Sequence, residues 1–205
     1  MNNLFNYPEH ATPINDCSGL IPEWVHNIDD LNRVEAENIL SAQRKYLRKS
    51  VPSPDKWFQI KDLKKIHQEM FGKVWDWAGC FRKSTTSIGI APHLIAAQLG
   101  AFCREVHSWQ IESTNMTFIE RSARIHHQLV SIHPFENGNG RFSRFVADRF
   151  LISYRCPHPI WPEYLNHEST IRQDYIRTLK AADRGDYNLL IEFMKQFGAK
   201  DPIIN

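Results

Sequence analysis

Apolar residues recur at three- and four-residue spacing along most of this chain, which is the pattern of amphipathic helices. Prolines, glycines and short polar runs separate the periodic segments from one another. A different pattern occupies residues 83–90, which are rich in Ser, Thr and Ile and predict a short β-hairpin. The predicted fold class is all-α with one small β-hairpin, and helices are expected at about residues 30–48, 59–72, 92–109, 118–131, 140–153, 167–183 and 186–197.

The first 28 residues are predicted to be an N-terminal arm, because prolines and a glycine interrupt them while apolar residues continue between the breaks. Residues 29–200 have the length of one ordinary domain. The net charge of +2 and the absence of a lysine or arginine run from the sequence argue against direct binding to nucleic acid.

The cysteines are scattered and form no Cys-x-x-Cys pair, which is typical of reduced thiols in a cytoplasmic protein. No apolar run reaches the length of a membrane span, and the N-terminus does not read as a signal peptide. We therefore expect a cytoplasmic protein that does not enter a membrane. Export through a dedicated secretion system stays open, because it need not leave such a mark.

The most informative segment is residues 133–144, which read HPFENGNGRFSR. Its two Asn-Gly pairs are typical of turns, and a hairpin is one interpretation of them. However, the apolar residues from Phe142 onward recur at helical spacing, so the loop is predicted to open a helix. Arg141, Arg144 and Asp148 are expected on the other side of that helix from its apolar residues.

Arginine is a poor choice for the first turn of a helix, because the helix dipole is positive there. Arg141 and Arg144 make sense if an anion normally binds among them. The free N–H groups of a helix start, with glycines that permit close approach, form such an anion site. Forked guanidinium donors suit phosphate oxygens, and His133 adds a candidate general base beside them. The segment therefore predicts a phosphate site with a base next to it.

The same segment resembles the signature of the Fic family, which reads His-x-Phe-x-(Asp/Glu)-Gly-Asn-Gly-Arg-x-x-Arg. The resemblance covers about residues 30–197, and parts of the arm together with the Asn-Gly-Asn-Gly loop are also similar to a Fic subgroup called mobile mystery protein B. The family's further features are matched by Ile66-His67, Phe71, Trp77-Ala-Gly, Arg82, residues 181–187 and Phe193.

The resemblance implies a Fic-type helical bundle whose central helix–loop–helix binds ATP as substrate. Most members transfer AMP to a Ser, Thr or Tyr hydroxyl of a target protein, so the implied activity is that of a protein adenylyltransferase. His133 would be the catalytic base. Arg141 would hold the leaving pyrophosphate side and Arg144 the γ-phosphate. The full candidate nucleotide-binding set is Phe135, Glu136, Asn137, Gly138, Asn139, Gly140, Arg141 and Arg144.

In this reading Phe135 anchors the loop in the core, and Gly138, Asn139 and Gly140 surround the α- and β-phosphates. The predicted hairpin would be a flap that docks the target segment by strand addition. The candidate flap residues are Ser84, Thr85, Thr86, Ser87 and Ile88.

The chain departs from the family pattern at Asn137, where the family has an acidic residue that holds Mg²⁺ against the phosphates. An amide offers one neutral oxygen, whereas Mg²⁺ in proteins usually takes one or two carboxylates plus phosphate oxygens. Three outcomes stay open: weak Mg²⁺ binding through the nucleotide, a different donor or metal, and nucleotide binding without efficient transfer. Asn137 is therefore the candidate metal residue, and Mg²⁺ the expected cofactor.

The family resemblance also implies regulation by a helix that ends in the pattern (Ser/Thr)-x-x-x-Glu-(Gly/Asn). The glutamate of that pattern pairs with the second arginine of the signature and blocks the γ-phosphate. Glu37-Asn38 matches the end of the pattern, although Arg33 replaces its Ser or Thr. Glu35 is the alternative, because it shares the apolar stripe of the helix with Asn38 and needs a polar partner there. Ordinary surface charge is the third interpretation of Glu37.

The sequence therefore leaves three functions open. The first is an autoinhibited protein adenylyltransferase, and the second is a nucleotide-binding or partner-binding module with weak or no transfer. The third is a Fic enzyme that transfers another phosphate-containing group. Expected partners are the target protein and, as open possibilities, a separate antitoxin and a second copy of the chain.

Overall fold

The helices lie close to the predicted segments. The computed structural model describes residues 19–48, 50–111, 115–162, 165 and 169–202. Within these ranges no strand is formed, so the all-α prediction is confirmed. Short 3₁₀ turns occupy Pro54–Lys56 and Pro92–Leu94. The α-helices are α1 (Ile28–Tyr46), α2 (Ile60–Phe71), α3 (Ile95–Ile111), α4 (Phe118–Ile132), α5 (Asn139–Ser153), α6 (Thr170–Ala182) and α7 (Asn188–Gln196).

Side-chain caps fix where several helices begin. The Asp30 N–H donates to the Asn27 side chain at 2.9 Å, and the Glu120 N–H donates to the Thr117 hydroxyl at 3.2 Å. Each bond satisfies a backbone N–H that has no partner inside its own helix. Thr117 and Glu120 also have the spacing of a capping box, a sequence pattern that marks the start of a helix.

Helices α4 and α5 form the centre of the molecule, and the other helices cover them. A first core lies between α1, α2, α3 and the central pair, and a second lies between the central pair, α6 and α7. Helix α5 is buried on nearly every side. Its polar residues Arg144, Asp148 and Arg149 are therefore interior residues rather than a solvated face. Trp161, which follows α5, contacts Arg144 and bonds Asp148, whereas Arg149 donates to the Tyr46 carbonyl at the end of α1. The helical periodicity of α5 alone does not predict these partners.

The predicted hairpin at residues 83–90 is wrong, since this segment contains no strand. The guanidinium of Arg82 explains why, because it donates to the carbonyls of Ser84 at 2.8 Å and Ile90 at 2.5 Å. The Thr86 hydroxyl likewise donates to the Ile88 carbonyl. Side chains thus occupy carbonyls that a hairpin would pair across its strands. Residues 83–91 are called the flap segment below.

The described part of the N-terminal arm runs beside the chain that follows α2. The Ile21 N–H donates to the Val74 carbonyl and the Asp76 N–H donates to the Gly19 carbonyl, both at 2.9 Å. Leu20 and Trp75 form an isolated antiparallel bridge there. The rest of the predicted arm, residues 1–18, lies outside the described ranges. Among the helices in those ranges, none combines the length and apolarity needed to cross a membrane.

Candidate functional site

His133 ends α4 in a left-handed conformation, with φ 51° and ψ 62°. Its N–H donates to the Leu129 carbonyl at 3.1 Å, and its own carbonyl accepts from Arg82 Nε at 2.6 Å. A residue other than glycine in this region carries backbone strain that the surroundings must hold. The contacts to α4 and to Arg82 therefore hold the backbone of His133 in place.

The imidazole of His133 is neutral and has one nitrogen available. Nδ1 lies 3.2 Å from the Val130 carbonyl, which can only accept, so Nδ1 carries the hydrogen and Nε2 keeps its lone pair. Burial lowers the pKa of His133 to about 4, the Val130 carbonyl opposes this shift, and the Arg82 charge adds to it. Nε2 can therefore accept a proton.

The loop between α4 and α5 is braced from within. The Asn139 side chain accepts from the Phe135 N–H at 3.0 Å and donates to the Phe135 carbonyl at 2.7 Å. The Phe135 side chain is fully buried and meets the Phe142 ring edge-on at a centroid distance of 5.0 Å. Phe135 and the Asn139 side chain thus fix the shape of the loop, and only backbone groups of Asn139 are left for a ligand.

At the N-terminus of α5, one backbone N–H already donates a hydrogen bond to a side-chain oxygen. Gly138 is the N-cap residue with φ 76°, and its N–H donates to Asn137 Oδ1 at 2.6 Å. Helix N-termini of this kind bind anions through open N–H groups and the dipole. The oxygen of Asn137 therefore sits where an anion's oxygen would be bound.

Arg141 is held by a carboxylate from α1. Its Nη1 lies 2.5 Å from Glu35 Oε2, and Glu35 is buried. The other Glu35 oxygen accepts from Trp75 Nε1 at 2.7 Å. Asn38 lies one turn further along α1, where it donates to the Glu69 carbonyl at 2.9 Å and accepts from the Lys73 N–H at 3.0 Å. Glu35 and Asn38 therefore dock one face of α1 onto α2 and the chain after it.

Glu37 lies on a different side of α1 and is exposed. Two residues along a helix turn the side chain by about 200°, so Glu35 and Glu37 cannot face the same partner. The structure therefore brings Glu35, not Glu37, to the signature. The arginine that it contacts is Arg141, the first of the two, whereas the family pattern leads one to expect Arg144.

Arg144 lies in a buried aromatic and polar setting. Its guanidinium is 5.8 Å from the ring centres of both Trp161 and Tyr175. Both oxygens of Asp148 accept from Trp161 Nε1 at 2.9 Å. Burial raises the pKa of Asp148 well above its usual value, although the Trp161 bond and the Arg144 charge oppose the shift. The Tyr175 hydroxyl lies 2.9 Å from His126 Nε2 behind them.

Glu136 contacts the flap segment. Its carboxylate accepts from the Lys83 N–H at 3.2 Å and from the Ser84 hydroxyl at 2.8 Å. At the other end of the flap segment, a Cβ added to Gly89 would lie only 2.5 Å from His133 Cβ. The flap segment therefore passes beside His133. Of the candidate docking residues, Ser84, Thr85, Ser87 and Ile88 are exposed and Thr86 is half-buried.

The side chains around this loop offer Mg²⁺ few donors that are not already hydrogen-bonded. Asn137 offers a neutral oxygen that the Gly138 N–H already uses, and the Glu136 carboxylate is bound to the flap segment. Among the described residues, no three His, Cys, Asp or Glu side chains are grouped as metal ligands would be. Asn137 would offer Mg²⁺ one neutral oxygen, so the other ligands would have to come from the phosphates of the nucleotide and from water.

Sequence reasoning missed the tryptophans that support the site, Trp75 beside Glu35 and Trp161 beside Arg144. Tryptophan is usually a core residue, and nothing in the local pattern distinguishes these two. A weak signal existed in Asp148, since an acidic residue within a helix rich in Phe needs a hydrogen-bond donor nearby.

Comparison with known proteins identifies the fold and its relatives. A protein adenylyltransferase Fic from Aedes aegypti is 27% identical over 171 residues, which are 82% of this chain and 32% of that protein. The corresponding protein from Drosophila ananassae is 31% identical over 140 residues, covering 66% of this chain and 27% of that protein. The chain thus spans between a quarter and a third of the length of these relatives.

The crystal structure of the BepC protein, a VirB-translocated effector from Bartonella tribocorum with bound AMPPNP, has the same fold. It superposes with a TM-score of 0.65 at 15% identity, covering 98% of this chain and 100% of that one. The Fic/DOC family model matches residues 57–151, which include α2, the flap segment, the loop and most of α5. The signature, the helical bundle and these relatives agree with this match, so residues 57–151 carry a Fic/DOC family domain.

Proposed function

We propose that this chain is a protein adenylyltransferase that moves AMP from ATP to a Ser, Thr or Tyr hydroxyl of a target protein, and that α1 restrains it. The observation that carries the proposal is the loop at the start of α5, with the neutral imidazole of His133 before it and Arg141 and Arg144 after it. The name of the insect relatives and the AMPPNP bound to BepC support the reaction and the nucleotide.

The reaction uses the groups of this loop directly. Nε2 of His133 takes the proton of the target hydroxyl as its oxygen attacks the α-phosphorus, and the bond to the β-phosphate oxygen breaks. The helix N-terminus and the arginines bind the phosphates and the departing pyrophosphate. The negative charge of the nucleotide raises the pKa of His133 from its low value, which favours transfer of the proton to it.

The flap segment is the proposed docking place of the target. It is exposed at Thr85 and Ile88 and passes beside His133 at Gly89. A target segment that lies along this exposed backbone would bring its hydroxyl next to Nε2 of His133. The Ser84 and Ile90 carbonyls are already bound to Arg82, so the target would use the remaining backbone groups.

Glu35 is the proposed inhibitory residue. Its carboxylate occupies Arg141, and a phosphate group must displace that carboxylate to reach the guanidinium. Negative charge from Glu35 also opposes the approach of a triphosphate. Removing the charge while keeping a hydrogen-bond acceptor for Trp75 should therefore raise nucleotide affinity and transfer.

The test is AMP transfer from labelled ATP in the presence of Mg²⁺ and cell lysate. Glu35→Gln should label target protein more strongly than the wild type, and Glu37→Gln, an exposed change on the same helix, should behave as the wild type does. Adding His133→Ala to Glu35→Gln should remove the label, because loss of a general base slows reactions about 10²–10⁴-fold. If Glu35→Gln binds ATP but labels no protein, the proposed transfer is wrong.

A nucleotide-binding or partner-binding module is the second candidate, and Asn137 is the observation that favours it. Its oxygen is occupied by a backbone N–H and brings no charge to a metal. We expect Mg²⁺ to arrive on the phosphates of the nucleotide. Transfer only after Asn137→Glu would support the module, and turnover by the chain with Asn137 intact would eliminate it. Mass spectrometry of the labelled target would identify transfer of a group other than AMP. The antitoxin, the oligomer and the cytoplasmic location stay predictions.

A further inference from the structure

His67 lies on α2, outside the signature, yet both of its ring nitrogens bind backbone groups. The Gly79 N–H donates to Nδ1 at 3.0 Å, and Nε2 lies 3.1 Å from the carbonyl of Asn137. A nitrogen that accepts a hydrogen bond cannot carry a hydrogen, so the hydrogen is on Nε2 and is donated to Asn137. Burial lowers the pKa of His67 to about 3, the Asn137 carbonyl opposes this, and Arg141 adds to it.

The ring cannot turn away from this position, because aromatic side chains hold it. It stacks on Phe135 with a centroid distance of 3.7 Å and an interplanar angle of 21°. The Phe71 ring lies 4.8 Å away and the Phe142 ring 5.7 Å away. His67 is completely buried among them. The hydrogen bond to the Asn137 carbonyl is therefore a fixed feature of the loop.

This bond determines which way the next N–H points. The C=O of Asn137 and the N–H of Gly138 belong to one planar, trans peptide group, so they point in opposite directions. With the carbonyl turned toward His67, the Gly138 N–H is turned away from the α2 side. On the side away from α2, the Gly138 N–H already donates a hydrogen bond to Asn137 Oδ1, at 2.6 Å.

Phe71 supports the same peptide one helical turn beyond His67. A Cβ at Gly138 would lie 2.5 Å from the Phe71 ring, and the Arg141 guanidinium lies 4.9 Å from the centre of that ring. Residues four apart on a helix share a face, so His67 and Phe71 together form the surface on which the loop rests. The positive φ of Gly138 and its missing side chain are both required for this contact.

We infer that His67 is a positioning residue of the phosphate site: its Nε2–H holds the Asn137–Gly138 peptide so that the Gly138 N–H faces the phosphates of the nucleotide. This rests on the proposed function and deepens it. Without the bond, the peptide is free to reverse, and a reversed peptide would direct a carbonyl oxygen at the phosphates. The partial negative charge of that oxygen would repel them.

Two variants separate this role from packing. His67→Gln places an amide near the Nε2 position and can still donate to the Asn137 carbonyl, whereas His67→Asn keeps only the acceptor for the Gly79 N–H. Each variant loses the aromatic stack and one of the two backbone bonds, so their unfolding midpoints in urea should be lowered alike. Only His67→Asn should lose the orientation of the peptide.

The measurements are isothermal titration with AMPPNP and with inorganic triphosphate, and the ¹⁵N–¹H resonance of Gly138 during the same titrations. We expect His67→Asn to bind both ligands about tenfold or more weakly than His67→Gln, the effect of one lost hydrogen bond to a charged group. The Gly138 resonance should move on binding in the wild type and in His67→Gln, and stay in place in His67→Asn.

Equal affinities of the two variants, or a Gly138 shift in His67→Asn as large as that of the wild type, would overturn the inference. Neither readout requires AMP transfer. A wild type that transfers nothing would therefore remove the proposed activity, while the Gly138 resonance would still report on the role of His67.

Discussion

Arg141 and Arg144 belong to the same signature and lie three residues apart, but the protein holds them in different ways. Arg141 pairs with Glu35, a residue of α1 that precedes the region matched by the family model. Arg144 rests among Trp161, Tyr175 and other groups buried inside the bundle. Arg144 is therefore part of the buried architecture, whereas Arg141 has an ion-pair partner that, in our proposal, the nucleotide displaces.

The largest expected difference concerns stability on the Arg144 side. Arg144→Ala should lower the free energy of unfolding by about 3 kcal/mol, because it removes the buried guanidinium beside Trp161 and Tyr175 and opens a cavity. Arg144→Lys keeps a positive charge and should lose less. Unfolding in urea measures both. A loss below about 1 kcal/mol in Arg144→Ala would mean that Arg144 contributes no more to the stability of the fold than an ordinary surface residue does.

The Arg141 side is predicted to behave as a coupled pair. A double-mutant cycle with Glu35→Gln and Arg141→Gln should give a coupling energy of about 2 kcal/mol, because the partners form a short ion pair with one buried member. The matched cycle with Glu37→Gln and Arg141→Gln should give no coupling beyond error, since Glu37 is exposed on another side of α1. Equal coupling in the two cycles would refute the assignment to Glu35.

The pH dependence of stability tests the buried surroundings of Arg144, which include His126. Burial, with the charges of Arg144 and His127 adding to it, lowers the pKa of His126 well below its usual value, so His126 stays neutral while an unfolded histidine binds a proton below about pH 6.5. At this histidine the unfolded chain then holds more protons, so the contribution of His126 to stability falls as the pH decreases through that range. Asp148 contributes in the opposite direction, because burial raises its pKa in the folded protein. His133 and His67 also lower stability as the pH decreases, because their pKa values in the folded protein are about 4 and about 3.

Replacing His126 by Gln should therefore reduce the acid dependence by the share of one histidine, about 1.4 kcal/mol per pH unit between pH 6 and pH 4. Urea unfolding at several pH values measures the slope. Above pH 7 the slopes of wild type and variant should coincide, which serves as the internal control. An unchanged slope at acid pH would show that His126 is protonated in the folded protein.

Much of the fold followed from the sequence because it depends on local patterns. The 3.6-residue periodicity located the helices, and the cap at Thr117 confirmed one start. The flap segment was mispredicted because its β-type composition says nothing about Arg82, whose guanidinium occupies the carbonyls that a hairpin needs. Contacts made by one long side chain with distant backbone groups leave no periodic signal.

The candidate site was only partly predictable for the same reason. The signature marked the loop and its arginines, and the position of Glu35 on the apolar stripe of α1 marked it as a residue in need of a partner. The sequence could not choose between Glu35 and Glu37, because that choice depends on how α1 is rotated against α2. The burial of Arg144 beside Trp161 depends on a loop more than ten residues further along the chain.

We propose that α1 withholds Arg141 from the nucleotide through the charge of Glu35. The most direct test of this proposal is the dissociation constant of AMPPNP, measured by isothermal titration for the wild type, Glu35→Gln and Glu37→Gln. We expect Glu35→Gln to bind AMPPNP about tenfold more tightly than the wild type, which is the size of a common coupling between two sites, and Glu37→Gln to bind it as the wild type does. Unchanged affinity in Glu35→Gln, or an equal gain in Glu37→Gln, would contradict the proposal.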